Sequence, residues 1–145
     1  MTASAVDIDV AKIREWFNRL SSCVQAVDFE AARDLFAEDM VAFGTFSDFV
    51  VGRAAVEEQQ WRKVWPHIRN FHWDFENMKA MVSSDRLFGL GLACFVSIGF
   101  TQEGVRFDRP GRATVAFRRR SLDDNWVACH THMSLFRGVP QQSFG

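Results

Sequence analysis

Two histidines near the end of the sequence offer the clearest prospect of chemistry. His130 and His132 stand two apart in an extended pattern, so both side chains, with Ser134, are expected on one face of a strand. Arg112, in the strand-like segment before them, can join this face if the two segments pair as a hairpin. A histidine moves protons near neutral pH, and an arginine holds a carboxylate or an enolate oxygen. The pattern therefore predicts acid–base catalysis by His132, with Arg112 stabilising the oxyanion.

The sequence leaves three interpretations of this polar face open. In the first, the face lines the wall or mouth of a ligand cavity, where His130 and Ser134 contact the ligand. In the second, it is the outer face of a sheet and, with Trp126 placed there by simple alternation, forms a dimer interface. In the third, the two histidines bind a metal, although no third ligand stands at a suitable spacing. Alternation fixes which side chains share a face, but it does not tell which face is inside.

Aromatic residues are the second candidate for a site. The sequence has 15 Phe and five Trp but no Tyr, so almost every ring is apolar. We expect an apolar pocket for a small hydrophobic or aromatic molecule, lined by Phe17, Phe43, Trp61, Trp65 and Trp73. Ordinary core packing of the same rings is the alternative.

Composition excludes several classes of function. Seventeen basic and 18 acidic residues leave a net charge of -1, so no basic surplus is available for nucleic acid. The longest apolar run, residues 87–100, is too short to span a bilayer, and residues 1–9 lack the features of a secretory signal. We therefore expect a cytoplasmic protein that binds neither membranes nor nucleic acid. No phosphate-binding loop or zinc signature occurs, so neither a cofactor nor a metal is expected.

The order of elements predicts an α+β fold. Apolar spacing indicates a helix over residues 10–27, with Asp7 and Asp9 as available caps, and a second over residues 29–36, capped by Asp28. A third helix over residues 53–65 ends before Pro66. Extended segments are expected at 40–46, 50–52, 71–75, 79–83, 87–100, 105–107, 112–120 and 125–136. Helices followed by antiparallel strands indicate one domain over residues 1–138, with a loose tail over residues 139–145.

Several short segments, taken in order, resemble a known family. The helix hairpin is followed by Asp39–Thr45, by Val51–Val56 at the start of a helix, by Gly111–Thr114 and by Trp126–Ser134. Over residues 10–137 this order resembles the SnoaL-like domains of the nuclear transport factor 2-like superfamily. The resemblance implies a cone of helices inside a strongly curved sheet, an apolar cavity and homodimers that form through the sheet. It also implies either cofactor-independent isomerase, cyclase or dehydratase chemistry or a non-catalytic ligand-binding or assembly module.

The familiar steroid isomerase chemistry of this superfamily meets an obstacle in the sequence. The resemblance implies a carboxylate base near the end of the first strand and a phenol or neutral acid for the enolate oxygen. Gly44 stands where that carboxylate would be, and the chain has no Tyr. Asp48 is the one nearby acid, so it is the third catalytic candidate, with a turn role as the alternative.

Overall fold

The long N-terminal helix packs against one face of a sheet in the computed structural model, which describes residues 2–44 and 48–145. Helix α1 (Ala5–Ala26) begins at a capping box, in which Ser4 Oγ accepts the Asp7 N–H at 3.1 Å and the Asp7 carboxylate accepts the Ser4 N–H. Four apolar residues spaced along this helix, Ile13, Phe17, Leu20 and Val24, are buried. Among the described residues, no helix combines the length and the apolar character that crossing a bilayer requires.

Two shorter helical segments follow. Helix α2 (Phe29–Arg33) is capped by Asp28, as predicted, but it ends earlier than expected because the next strand begins at Phe36. What we call the third helical segment, residues 53–67, combines four short pieces: α3 (Arg53–Val56), a π-helical turn (Glu57–Trp61), α4 (Arg62–Val64) and a 3₁₀ turn (Trp65–His67).

The described residues contain one mixed, curved and unclosed sheet, which confirms the α+β fold class. Its eight strands are β1 (Phe36–Phe43), β2 (Phe49–Val51), β3 (Arg69–Trp73), β4 (Lys79–Val82), β5 (Phe88–Phe100), β6 (Arg106–Asp108), β7 (Gly111–Arg118) and β8 (Val127–Leu135). They follow the order β2-β1-β8-β7-β5-β3, and β4 and β6 also pair with β5. Strands β1 and β8 run parallel, and every other pair named here is antiparallel.

The sheet has an inner face toward α1 and an outer face. A register shift in β8 decides which residues reach each face: Ala116 pairs with His130, but its neighbour Phe117 pairs with Ala128. Because this β-bulge adds one residue, Ala128 and Trp126 point inward and are buried, whereas His130 lies on the outer face. Simple alternation across residues 126–134 is therefore wrong before the bulge, and Trp126 does not share the face of the histidines.

A buried charge cluster joins α1 to the turn before β5 and to the residue after β7. Asp9, expected as an exposed cap, is 1% exposed and binds Arg86 Nε at 2.7 Å and Arg119 Nη2 at 3.0 Å. The Arg119 guanidinium also lies 4.0 Å from the ring centroid of Trp126. The hydrogen bond from Arg86, together with Arg119, holds the pKa of the Asp9 carboxyl below its usual value despite burial. Asp9 does not cap the helix because its partners are Arg86, after β4, and Arg119, after β7, which are distant in the sequence.

The last residues of the chain are attached to β5 rather than loose. Phe144 N–H donates to the Phe100 carbonyl at 2.9 Å, and Ser143 Oγ accepts the Phe100 N–H at 2.9 Å. Ser143 Oγ also donates to the carbonyl of His67. These bonds satisfy backbone groups at the end of a long strand, so the expected loose tail over residues 139–145 is wrong for its final three residues.

Candidate functional site

An apolar cavity of about 70 Å³ lies between α1, the third helical segment and the inner face of the sheet. Its lining side chains are mostly aliphatic or aromatic, and three positions add polar groups: Gln60, Arg109 and Thr131. The described residues that line it are Leu20, Val24, Phe36, Gly44, Gln60, Trp61, Val64, Trp65, Ile68, Phe71, Phe95, Arg109, Thr131 and Met133. A mostly apolar surface with a few convergent polar groups is the usual form of a small-molecule site.

A stack of rings forms the helical wall of this cavity. Trp61 and Trp65 stack with centroids 5.1 Å apart and planes 15° apart, and Phe29 stacks on Trp65 at 5.5 Å. The Arg62 guanidinium covers the other side of the cluster, 4.4 Å from the Phe29 centroid. Trp61 is the last residue of the π-helical turn, and such turns are frequent at functional sites.

A buried carboxylate fixes the third helical segment in place. Glu57 binds Arg33 Nε at 2.6 Å and Arg62 Nη2 at 2.8 Å. The hydrogen bond from Arg33, assisted by Arg62, lowers the pKa of Glu57 to about 2. Glu57 therefore stays ionised at neutral pH and ties α2 to the wall that carries Trp61.

Arg109 is the one charged side chain among the described residues that line the cavity. It lies between β6 and β7 and is only 3% exposed. Its backbone N–H donates to the Ser97 carbonyl at 2.9 Å and its carbonyl accepts the Ser97 N–H at 3.1 Å, which holds the residue against β5. This pairing directs the side chain to the inner face, beside the inward-facing Ser97.

The Arg109 guanidinium has few partners of its own. Nη1 lies 3.4 Å from Ser97 Oγ, and Nε finds no hydrogen-bond partner within residues 2–44 and 48–145. No carboxylate in these same ranges forms an ion pair with it. Burial lowers the pKa of Arg109 to about 10, so the group remains a cation at neutral pH. The cavity wall therefore presents a positive charge without a counter-ion from the described residues.

Two of the predicted ligand-binding rings line the cavity and two belong to the core. Trp61 and Trp65 contribute to its wall. Phe17 and Trp73 instead pack edge to face, with centroids 4.8 Å apart, and both are buried outside the lining. These two residues follow the alternative of ordinary core packing.

The predicted catalytic residues His132 and Arg112 lie on the outer face, with Ser134. In the register of β7 and β8, Arg112 pairs with Ser134, and His132 is exposed in the next outward position of β8. The cavity is lined instead by Thr131 and Met133, whose side chains point the opposite way. The histidine face therefore does not line this apolar cavity. His132, Arg112 and Ser134 instead line an open groove on the outer face of the sheet, together with Asn77 and Lys79.

Phe43 and His130 also belong to the outer face. The Phe43 ring lies 5.0 Å from His132, 5.8 Å from His130 and 4.5 Å from Phe49, centroid to centroid. Phe43 was expected in the pocket, but its strand turns it away from α1. Asp48 is exposed and does not line the cavity either.

The third interpretation, a metal site at the histidines, gains no further ligand. Across the described ranges, no three His, Cys, Asp or Glu side chains come together in a group that can hold a metal ion. His130 Nδ1 lies 2.7 Å from the Val41 carbonyl, so one of its ring nitrogens is engaged by the backbone.

The polar residues of the cavity were not identified from the sequence. Arg109 falls between two predicted strands and directly precedes Pro110, a pattern typical of a solvated connection. Thr131 stands between the two histidines, where alternation gives it the opposite face, and this was the available signal. Gln60 resembles any polar residue of an amphipathic helix, and only the packing of the third helical segment turns it toward the cavity.

Comparison with solved structures places the same fold in several proteins. A ketosteroid isomerase-like protein from Erwinia carotovora atroseptica SCRI1043 aligns with a TM-score of 0.75 at 15% identity, covering 91% of this chain and 98% of that one. A protein described as a dehydratase of the nuclear transport factor 2-like family, from Streptomyces avermitilis, gives 0.73 at 17% identity, covering 89% and 97%. A protein from Xanthomonas campestris, described as a calcium/calmodulin-dependent protein kinase II association domain, gives 0.69 at 17% identity, covering 92% and 89%.

These likenesses concern the fold, since every identity is low and the named activities differ from one another. No curated protein sequence matches the chain significantly. A family model for the SnoaL-like domain, in contrast, matches residues 13–138, which include the greater part of α1, the whole sheet and the cavity. The chain therefore belongs to the SnoaL-like domain family, and its fold is the one seen in the nuclear transport factor 2-like proteins named above.

Proposed function

We propose that the protein binds a small, largely apolar organic molecule in the cavity between α1, the third helical segment and the inner face of the sheet. The observation that carries this proposal is the lining itself, in which apolar side chains surround the three polar positions Gln60, Arg109 and Thr131. Such a lining can bury the apolar part of a ligand and orient the ligand through one or two polar contacts.

The size of the cavity restricts the ligand. At about 70 Å³ it is smaller than the roughly 300–1,000 Å³ of sites for drug-sized ligands. It is also smaller than an engineered cavity of about 150 Å³ that accepts benzene. A short aliphatic molecule fits this volume, and a single ring requires the cavity to widen.

Binding without catalysis is the form of the function that the geometry favours. Among the described lining residues, no His, Cys or carboxylate side chain is present to move a proton, whereas His132, Arg112 and Asp48 lie away from the cavity. The isomerase, cyclase or dehydratase chemistry that the family resemblance implies is therefore not part of this proposal.

Filling the cavity provides the test. We expect Val64→Phe, which adds a ring to the cavity wall, to abolish binding of small organic probes measured by isothermal titration calorimetry. Val105→Phe makes the same change at a position that is 63% exposed and is the matched control. Equal binding by both variants and by the wild type would remove the cavity from the function.

A second function, self-association, is favoured by a different observation. The outer face carries exposed apolar side chains, including Phe49 at 70% and Val51 at 69% exposure, beside Phe43 and His132. Apolar patches of this kind mark protein interfaces. The fold likeness to kinase association domains adds support for a second copy of this chain as the occupant, giving a homodimer through the sheet.

Sedimentation velocity tests this second function. We expect a dimer for the wild type at micromolar concentration and a monomer for the double variant Phe49→Lys, Val51→Lys, because two desolvated charges oppose association. Leu122→Lys changes an apolar residue that is 50% exposed in a separate turn and leaves the dimer intact. A monomeric wild type at these concentrations contradicts the proposal.

A further inference from the structure

The Arg109 guanidinium is the least satisfied charged group in the described part of the structure. It is 3% exposed, its Nε has no hydrogen-bond partner there, and its Nη1 reaches Ser97 Oγ at 3.4 Å, which is long for a hydrogen bond. A buried charge without a partner is costly, and proteins normally provide it with a counter-ion and with hydrogen bonds.

Other buried charges in the same molecule show what such pairing looks like. Arg119 reaches the Asp9 carboxylate at 3.0 Å and donates from Nε to the Arg86 carbonyl at 2.9 Å. Glu57 receives two arginines. Arg109 is also buried, but it faces the cavity instead of a carboxylate.

We propose that the counter-ion of Arg109 is supplied by the ligand, which is a small monocarboxylate with an apolar tail. The inference rests on the proposed function, because it names the class of molecule that occupies that same cavity. Its carboxylate accepts hydrogen bonds from the guanidinium of Arg109, and its tail contacts the wall that Trp61 and Phe71 help to form.

The chemistry of the cavity selects this class among anions. The planar guanidinium presents donors in a fork that matches the two oxygens of a carboxylate. A phosphate monoester brings close to two negative charges, which a single cation in an apolar lining does not neutralise. A neutral ligand leaves the buried cation unpaired, so it gains less from binding.

Titration calorimetry with matched probe pairs tests the proposal. The probes are propionate, butyrate and benzoate, with propionamide, butyramide and benzamide as neutral partners of nearly the same shape, and sodium chloride as a bare anion. For the wild type, we expect the best carboxylate to bind on the order of 10- to 100-fold more tightly than its amide, the range typical of a charged hydrogen bond.

Variants at Arg109 locate the effect. Arg109→Met keeps the length of the side chain and is expected to remove the preference for carboxylate over amide, and Arg109→Lys is expected to retain part of it. Arg106→Met, the same change at an exposed position three residues earlier, is the control and leaves the preference intact. Because a folding defect would imitate the result, thermal unfolding and backbone amide ¹⁵N spectra of each variant accompany the titrations.

The outcomes separate this inference from the proposed function. If a carboxylate and its amide bind equally well to the wild type and to Arg109→Met, the cavity remains a ligand site, but the proposed role of Arg109 is overturned. Chloride binding as tightly as the best carboxylate also overturns the assignment, since the site then accepts any small anion. Binding of no probe in any form contradicts both proposals, whereas a carboxylate preference lost only in the Arg109 variants supports both.

Discussion

Arg119 and Arg109 are both almost completely buried, yet the protein treats their charges in opposite ways. Arg119 is 7% exposed and lies within a closed cluster of Asp9, Arg86 and Trp126. Arg109 is 3% exposed and lies in a cavity wall, with a single long contact to Ser97. The difference shows that burial alone does not tell whether a charged side chain stabilises the fold. A charge whose partners are all within the chain stabilises the fold, whereas one that lacks them is available to a ligand.

Among the variants that test this comparison, Asp9→Asn is expected to cause the largest loss of unfolding free energy. Removing the carboxylate leaves Arg119 buried without its counter-ion, and breaking a buried pair in this way typically costs about 3–5 kcal/mol. Urea unfolding measures the loss. Asp123→Asn, at an exposed turn, is the control and should stay within about 0.5 kcal/mol of the wild type. A loss of less than 1 kcal/mol for Asp9→Asn would mean that the closed cluster is not what stabilises Arg119.

The second-largest expected effect is the stabilisation of the fold by the Glu57 carboxylate, which depends on pH. Its folded pKa of about 2 lies below the ordinary 4.5, so the carboxylate contributes stability above pH 4.5 and loses it as the pH falls toward 2. At neutral pH this contribution is about 3 kcal/mol. We expect the difference in unfolding free energy between wild type and Glu57→Gln to fall by more than half between pH 5 and pH 3.

Glu58→Gln, at the exposed neighbouring position, is the control for the Glu57 measurement. It should show only a small difference from the wild type at either pH, because an exposed surface charge contributes little to the free energy of unfolding. A Glu57→Gln difference that is independent of pH would contradict the paired state of this carboxylate.

Arg109→Met is expected to change stability in the opposite direction from Asp9→Asn. An apolar side chain of similar length removes an unpaired buried charge, so the variant without ligand should match the wild type or gain about 1 kcal/mol in unfolding free energy. Thermal and urea unfolding, without added carboxylate, measure it. A loss above 2 kcal/mol would show that Arg109 has a structural role like that of Arg119, and the comparison would fail.

Ser97→Ala gives the smallest effect. Ser97 Oγ lies 3.4 Å from Arg109 Nη1 and 3.3 Å from the Arg109 carbonyl; both contacts are long, so their loss should change the unfolding free energy by about 0.5 kcal/mol or less. Urea unfolding resolves this against Ser121→Ala, the same change in an exposed turn. A cost above about 1.5 kcal/mol would mean that Ser97 Oγ is a strong hydrogen-bond partner of Arg109.

The fold could be predicted from local sequence patterns. The site could not, because it depends on pairing between residues that are distant in the sequence. The spacing of Ile13, Phe17 and Leu20 identifies α1 because helical period and burial coincide. The apolar spacing of residues 53–65 and the apolar run over residues 87–100 identify the third helix and the long strand β5 in the same way. The order of segments then leads to the family, and the match over residues 13–138 agrees with it.

The candidate site was harder because its residues acquire meaning from distant partners. Asp9 becomes a core carboxylate only through Arg119, 110 positions away in the chain. One extra residue in β8 reverses the face of Trp126 relative to His130, and alternation cannot detect such a bulge. Arg109 shows no local pattern at all, since its importance lies in the partners that it lacks.

The stacked pair of Trp61 and Trp65 has a further consequence, for spectroscopy. Because the chain has no Tyr, its emission on excitation in the near ultraviolet comes essentially from five indoles, and two of these are stacked in the cavity wall. Indoles held at 5.1 Å couple as excitons, and a small change in their mutual angle alters the circular dichroism of the pair. The protein thus carries an intrinsic optical reporter at the place where a ligand would sit, and no attached dye is needed to observe occupancy.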